Sequence, residues 1–292
     1  MIVVKLIGGL GNQMFQYAAG RYLAYMHKTD LYLDTSFLEK KSEGAYTQRK
    51  YELSKFLIEA KFAGPDERKI FKAGNQIRRT LQRKLPLVFN NLYVAESGTS
   101  YHNEFLSYPR NTYLDGFWQS ERYFKPIEEL LRNEFSVQTK LNEKNQHFLD
   151  KIKQTNSVAI HVRRGDYVHH PNANVHHGIC SLLYYEQAIA HLKKTENDMS
   201  LFVFSDDLEW CKNNFKFDLP INFVDSNDAS NAHFDMHLMK HCKNAIIANS
   251  SFSWWAAWLN ANPKKIIVAP IKWFNDASID TSDLIPETWI KI

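Results

Sequence analysis

Three clusters of polar residues follow short apolar runs in this 292-residue chain, and each has the composition of a site that handles charge. His161-Val162-Arg163-Arg164-Gly165-Asp166-Tyr167 ends the apolar run 158–162. Two adjacent guanidiniums leaving a buried strand point in different directions, so one can meet a ligand phosphate while the other meets a carboxylate such as Asp166. The plain alternative is an Arg–Asp surface pair. Ser205-Asp206-Asp207 follows the run 201–204. Paired carboxylates there can accept hydrogen bonds from a ribose or from the N1–H and amino group of guanine, or hold a metal; equally, Ser205 or Asp206 can cap a following helix. Asn249-Ser250-Ser251-Phe252-Ser253 follows 245–248 and leads into Trp254, Trp255 and Trp258. Hydroxyls and free backbone N–H groups at a helix N-terminus make an anion site that needs no glycine. The three tryptophans suit core packing of that helix better than a stacking platform.

A fourth cluster, Gly8-Gly9-Leu10-Gly11-Asn12-Gln13, lies near the N-terminus. Its glycines let the backbone approach a ligand at Gly9, and Asn12 or Gln13 can hydrogen-bond phosphate or sugar. No Lys-Ser/Thr pair follows, so it is not a phosphate-binding loop of the kinase type. His233, His237 and His241 recur every four residues around Asp235, which raises a zinc site as a reading. Three helical turns spread the outer rings over roughly 12 Å, too far to share one ion. The chain also has no D-x-D pair to carry a metal-bound diphosphate, and no metal is expected.

The elements that must hold these clusters alternate. Residues 2–7 form a β-branched strand ending in the glycine loop; Met14, Phe15, Tyr17, Ala18, Tyr22 and Leu23 then recur at helical spacing, and 31–33 is a second strand. Residues 120–156 read as polar helix, with a domain boundary near 150. Beyond it come strand 158–162, helix 181–194, strand 201–204, a helix after Asp206, strand 221–224, helix 233–243, strand 245–248, a helix after Ser253 and strand 266–269. This alternation predicts an α/β fold with a doubly wound parallel sheet in the C-terminal half, where ligands bind at the carboxyl ends of the strands.

Composition narrows the function. The 36 basic and 32 acidic residues leave a net charge of +4, which gives no support to bulk nucleic-acid binding. Seven basic residues fall between Arg68 and Lys84 with no acidic residue from there to Glu96. With Ile70, Phe71, Ile77 and Leu81 the run is amphipathic; a solvated helical face is the first reading and peripheral contact with an anionic membrane the second. Three single cysteines, no long apolar run and no signal-peptide pattern fit a soluble, cytoplasmic protein. Glycine is scarce, 11 residues in all and none after Gly178, so the C-terminal half must bind any phosphate without a glycine loop.

GGLGNQMFQYA at 8–18, HVRRGDY at 161–167, FSDD at 204–207 with EWC at 209–211, NSSFSWWAAW at 249–258 and YLDGFWQSERYF at 113–124 occur in order along nearly the whole chain. Together they resemble the bacterial α-1,2-fucosyltransferases of glycosyltransferase family 11. The resemblance implies a GT-B-type architecture of two α/β domains facing across a cleft, with 1–150 on the acceptor side and a Rossmann-like 151–292 binding GDP-β-L-fucose. It implies metal-independent, inverting transfer to the 2-hydroxyl of a terminal galactose in an oligosaccharide. It further implies that Arg163 binds the diphosphate beside Arg164, that His161 and Asp206 contact guanine with Asp207 adjoining, and that Ser250, Ser251, Phe252 and Ser253 lie along the phosphates. A base must take the galactose proton. Asp166 and His177 are the candidates, with Asp115 and Glu121 also admissible; the stretch YVHHPNANVHHG after the Arg pair contains no carboxylate, unlike a related branch of the superfamily. A different GDP-sugar donor or linkage, or a non-catalytic GDP-sugar or glycan-binding protein, would share the same donor pocket.

Overall fold

The computed structural model describes residues 1–39, 49–72, 91–165 and 178–292. The candidates Asp166 and His177 and the basic residues from Arg78 to Lys84 lie outside the described residues. The chain forms two compact units, one of residues 1–136 with 279–286, the other of 137–278 with 287–292. The division falls after Ser136, where the sequence reading put it near 150.

The first unit holds a five-stranded sheet of β1 (Ile2–Lys5), β2 (Leu31–Asp34), β3 (Lys61–Phe62), β4 (Leu92–Ala95) and β5 (Thr112–Asp115) in the order β3-β2-β1-β5-β4. Every pairing is parallel. Helix α1 (Leu10–His27) follows β1, and α2 (Pro65–Lys72) follows β3. The turn into α1 requires glycine at position 8: its φ is +78°, and a Cβ there would come within 2.5 Å of Asn12 Nδ2. Arg68, the first residue of the basic run, ion-pairs with the buried Asp34 at 3.2 Å, so its charge is turned inward.

The polar stretch 120–156 is broken rather than continuous. Two 3-10 turns, one containing Pro126, precede α3 (Glu128–Glu134), and α4 (Glu143–Gln154) starts afresh where the Asn142 side chain accepts the Asn145 N–H. Asn145 is fully buried and its amide donates to Asn227 at 2.8 Å, which ties α4 to the rest of the second unit.

The second unit has six strands: β6 (Asn156–Val162), β7 (Met199–Ser205), β8 (Ile221–Phe223), β9 (Asn244–Ile246), β10 (Ile267–Ala269) and β11 (Ile290–Lys291). Their order is β11-β10-β9-β6-β7-β8, again wholly parallel. Counted from β6 this is 3-2-1-4-5-6 read from the other edge, the doubly wound order, and its switch point lies between β6 and β9. Helices α5 (Leu182–Leu192), α6 (Leu208–Asn214), α7 (Ala232–Met239) and α8 (Ser251–Leu259) connect the strands. Val158, Ile160 and Val162 of β6 and Leu201 and Val203 of β7 are buried against Tyr185, Ala188, Ile189 and Leu192 of α5. That continuous apolar character is what a sheet covered on both faces demands. Among the described residues, no helix is long and apolar enough to cross a membrane.

Candidate functional site

Parallel pairing sets Val162 opposite Ser205, so the residues leaving β6 and β7 emerge side by side. Arg163 Nη1 lies 2.8 Å from Asp206 Oδ2, with each side chain 26% exposed. The other oxygen of Asp206 accepts the Arg164 N–H at 2.8 Å. Arg164 bonds Asp207 through Nε at 3.2 Å and places its guanidinium 4.0 Å from the centre of the Trp210 ring. The two arginines therefore diverge, and the carboxylate that meets Arg164 is Asp207. Asp207 also accepts the Trp210 N–H at 3.1 Å and so caps α6, a role that the sequence suggested for Ser205 or Asp206. Ser205 instead accepts the Asp207 N–H. Gly165 completes the turn by close approach: a Cβ there would sit 2.9 Å from Asp206 Oδ2.

Across the switch point, α8 begins after β9. Ser250 occupies its N-cap position, yet among the described residues no side chain caps the helix, so there the first-turn N–H groups of Ser251, Phe252 and Ser253 have neither an intrahelical nor a capping partner. Ser253 is buried, with its hydroxyl donating to Ala248 and Ser250 carbonyls, so it contributes its backbone to this end and not its hydroxyl. Trp254, Trp255 and Trp258 are all buried and pack the helix into the core. Phe252 joins the two sides: its ring centre is 5.5 Å from that of His161.

His161 is 6% exposed, and its Nδ1 has no hydrogen-bond partner among the described residues. Burial pushes its pKa down to about 4, against the attraction of Asp206 and with the repulsion of Arg163, so the ring is neutral at neutral pH. The Tyr185 hydroxyl donates to the His161 carbonyl at 3.1 Å and fixes the strand end. A neutral imidazole with an unsatisfied nitrogen beside a guanidinium and an uncapped helix end is a constellation for a polar, anionic ligand.

The sequence reading assigns Tyr185 no role and shows Trp210 only as part of EWC at 209–211. Trp210 was findable, because it stands three residues after Asp207 at the position whose N–H a capping carboxylate meets.

In the first unit the structure separates the two amides. Gln13 is fully buried; its Nε2 donates to the Gly8 and Lys50 carbonyls at 2.9 and 2.8 Å, and its Oε1 accepts the Glu52 N–H at 3.0 Å. It braces the loop. Gln16, which the sequence reading did not single out, clamps both backbone groups of Ile7 in the same way. Asn12 accepts from the Gln119 amide at 2.9 Å, and Gly9 starts the helix with Arg49 at 3.8 Å from its Cβ direction. Of the carboxylates admissible as base, Asp115 bonds both Lys5 and the Tyr93 hydroxyl, and Glu121 pairs with Lys125. His237 and His241 place their ring centres 4.5 Å apart, and His241 Nδ1 lies 2.6 Å from the His237 carbonyl. Among the described residues there is no group of three His, Cys, Asp or Glu that could hold a metal ion.

Two α/β units on parallel sheets, with charged strand ends at a switch point, define the GT-B type of glycosyltransferase fold. The fold matches the structure of a mutant of Arabidopsis thaliana FUT1 in complex with GDP, with a TM-score of 0.51, 13% identity, and coverage of 91% of this chain and 69% of that one. The chain belongs to Glycosyl transferase family 11, whose family model matches residues 1–292. An Escherichia coli "Alpha-1,2-colitosyltransferase" is 36% identical over 300 residues, covering 100% of this chain and 99% of the relative. The "O-antigen biosynthesis glycosyltransferase WbnK" of Escherichia coli is 34% identical over 303 residues, covering 98% and 99%.

Proposed function

We propose that the protein transfers L-fucose from GDP-β-L-fucose to the 2-hydroxyl of a terminal galactose in an oligosaccharide, with inversion and without a metal. The observation that carries this reading is the convergence of Arg163 with the uncapped start of α8 at the switch point of the second sheet, bridged by the His161–Phe252 contact. The bond between the fucose anomeric carbon and the diphosphate oxygen breaks through an oxocarbenium-like transition state as the galactose O2 forms its bond to that carbon. Negative charge then grows on the departing diphosphate. Arg163 and the N–H groups of Ser251 to Ser253 stabilise it, the task a metal would otherwise perform. His161, neutral, and Asp206 contact guanine, while Arg164 and Asp207 hold the turn in place. The galactose O2 proton passes to a carboxylate or imidazole, for which Asp166 and His177 are the candidates. The second unit is thus the donor side, and the first, with Gly9 and Asn12 in its glycine loop, the acceptor side. A cytoplasmic site of action belongs to the same reading, in keeping with three cysteines that form no disulfide.

The name of the 36% identical relative favours one second reading, in which colitose replaces fucose on the donor and the α-1,2 linkage is kept. The deciding experiment offers the purified protein GDP-fucose or GDP-linked colitose with lactose or N-acetyllactosamine in the presence of EDTA, and reads the product linkage by NMR. Fucosyl transfer to galactose O2 is expected. Turnover of the colitose donor alone establishes the second reading, and no GDP release from either donor with any galactoside makes the protein a binding module.

A further inference from the structure

We propose that a cavity of about 640 Å³ in the first unit is a subsite for a neutral sugar ring of the acceptor oligosaccharide, stacked on Tyr51 and Phe62. This assignment rests on the glycosyltransferase reading above. The cavity opens at the carboxyl ends of β2 and β3, the end at which parallel sheets bind ligands. Its volume falls within the roughly 300–1,000 Å³ of small-molecule sites. Thr35 and Glu39 line it from the exit of β2, Phe62 and Arg68 from β3 and α2, and Lys50 and Tyr51 from the segment between.

Phe62 is 59% exposed although it lies in a strand, and its ring meets the edge of Tyr51 at 5.2 Å and 77°. A large apolar ring left in water beside a second aromatic is a surface for an apolar partner, and the C–H face of a pyranose supplies one. The polar lining selects the charge of that partner. Arg68 is neutralised by Asp34 at 3.2 Å, and the other charged lining residues are one cation, Lys50, and one anion, Glu39, whose carboxylate accepts the Thr35 hydroxyl at 2.7 Å. A balanced lining suits neutral hydroxyls and disfavours a phosphate or an acidic sugar. The wall is also preorganised. Gln13 holds the Lys50 carbonyl and the Glu52 N–H, and Asp34 is fixed by the Tyr113 hydroxyl at 2.6 Å. Since the phosphate-binding groups gather on the second unit, a neutral sugar held in the first belongs to the acceptor.

Phe62→Ala tests the assignment, because an exposed side chain on a two-residue edge strand can be shortened without unfolding the unit. The expected result is an acceptor KM raised about tenfold with kcat and the GDP Kd unchanged, and a Phe62→Trp variant within about threefold of wild type. An acceptor KM in Phe62→Ala within about twofold of wild type overturns the subsite while leaving the transfer reading intact. If no galactoside is turned over, the transfer reading fails, and saturation-transfer NMR with lactose and a galactose-terminated tetrasaccharide decides the subsite separately. Transfer to sugar C–H protons that is present in wild type and lost in Phe62→Ala supports it. Absence of transfer in wild type, or equal transfer in both, overturns it.

Discussion

Replacing Arg163 with alanine separates a catalytic guanidinium from a structural one. Its ion pair with Asp206 is about one quarter exposed, and Asp206 keeps the Arg164 N–H when the guanidinium is removed. The loss of stability should therefore stay near that of a partly exposed pair, about 1 kcal/mol, rather than the 3–5 kcal/mol of a stranded buried charge. In a protein of this size that lowers Tm by roughly 2–4 °C. The transition state loses more. Removing one donor aimed at developing charge costs about 10²–10³ in rate, or about 3–4 kcal/mol, so kcat/KM for the GDP-sugar should fall by at least that factor. Arg163→Lys, which keeps the charge but not the planar fork, should recover part of the loss. The assay is GDP release under initial-rate conditions, paired with a thermal melt of each variant. A kcat/KM within about threefold of wild type refutes the role, as does a Tm loss large enough to account for the missing activity by unfolding.

Gly165→Ala should lower kcat/KM about tenfold with little change in Tm, because its Cβ would press on Asp206, whose two oxygens are already held; unchanged kinetics in a steady-state assay would count against that tight turn. His161 binds a proton near pH 6.5 when unfolded but only at about 4 when folded, so its contribution to stability is complete above 6.5 and is lost as pH falls towards 4. Urea titrations at pH 7 and 4.5 should show His161→Gln losing about 2–3 kcal/mol less than wild type across that window, and parallel losses would contradict a buried neutral ring. Gln13→Ala should destabilise by about 2–4 kcal/mol in the same titration, since three backbone groups lose their partner, with the GDP-sugar KM nearly unchanged; full stability with a raised GDP-sugar KM would make Gln13 a donor contact.

The second unit was readable because its strands are largely apolar and regularly separated by helices: the ends of β6, β7 and β9 lie within two residues of those of the runs at 158–162, 201–204 and 245–248. The first unit was less so. Only β1 and β2 carry a clear apolar signature; β3 has two residues, and β4 and β5, LYVA and TYLD, are short segments that acquire strand geometry by pairing beside β1. In the site, residue types were legible and partners were not. Nothing in the order Arg163-Arg164 and Asp206-Asp207 dictates that the first arginine takes the first aspartate and the second takes the second, because that choice follows from the register of β6 against β7. Gln13 and Asn12 look alike as loop amides, and only burial distinguishes the brace from the residue with a partly open side chain.

The return of residues 279–286 to the first unit bears on how the protein comes off the ribosome. Asp280 accepts from Ser100, and Asp283 accepts the Tyr101 N–H and pairs with Arg122, so these groups of the first unit wait for partners synthesised more than 150 residues later. The stretch that follows, 287–292, then supplies β11 to the edge of the other sheet. Neither unit can finish before residue 279 has been made. Residues 279–292 close both, which makes the nascent chain dependent on synthesis through this stretch and a premature stop ahead of it damaging to both halves at once.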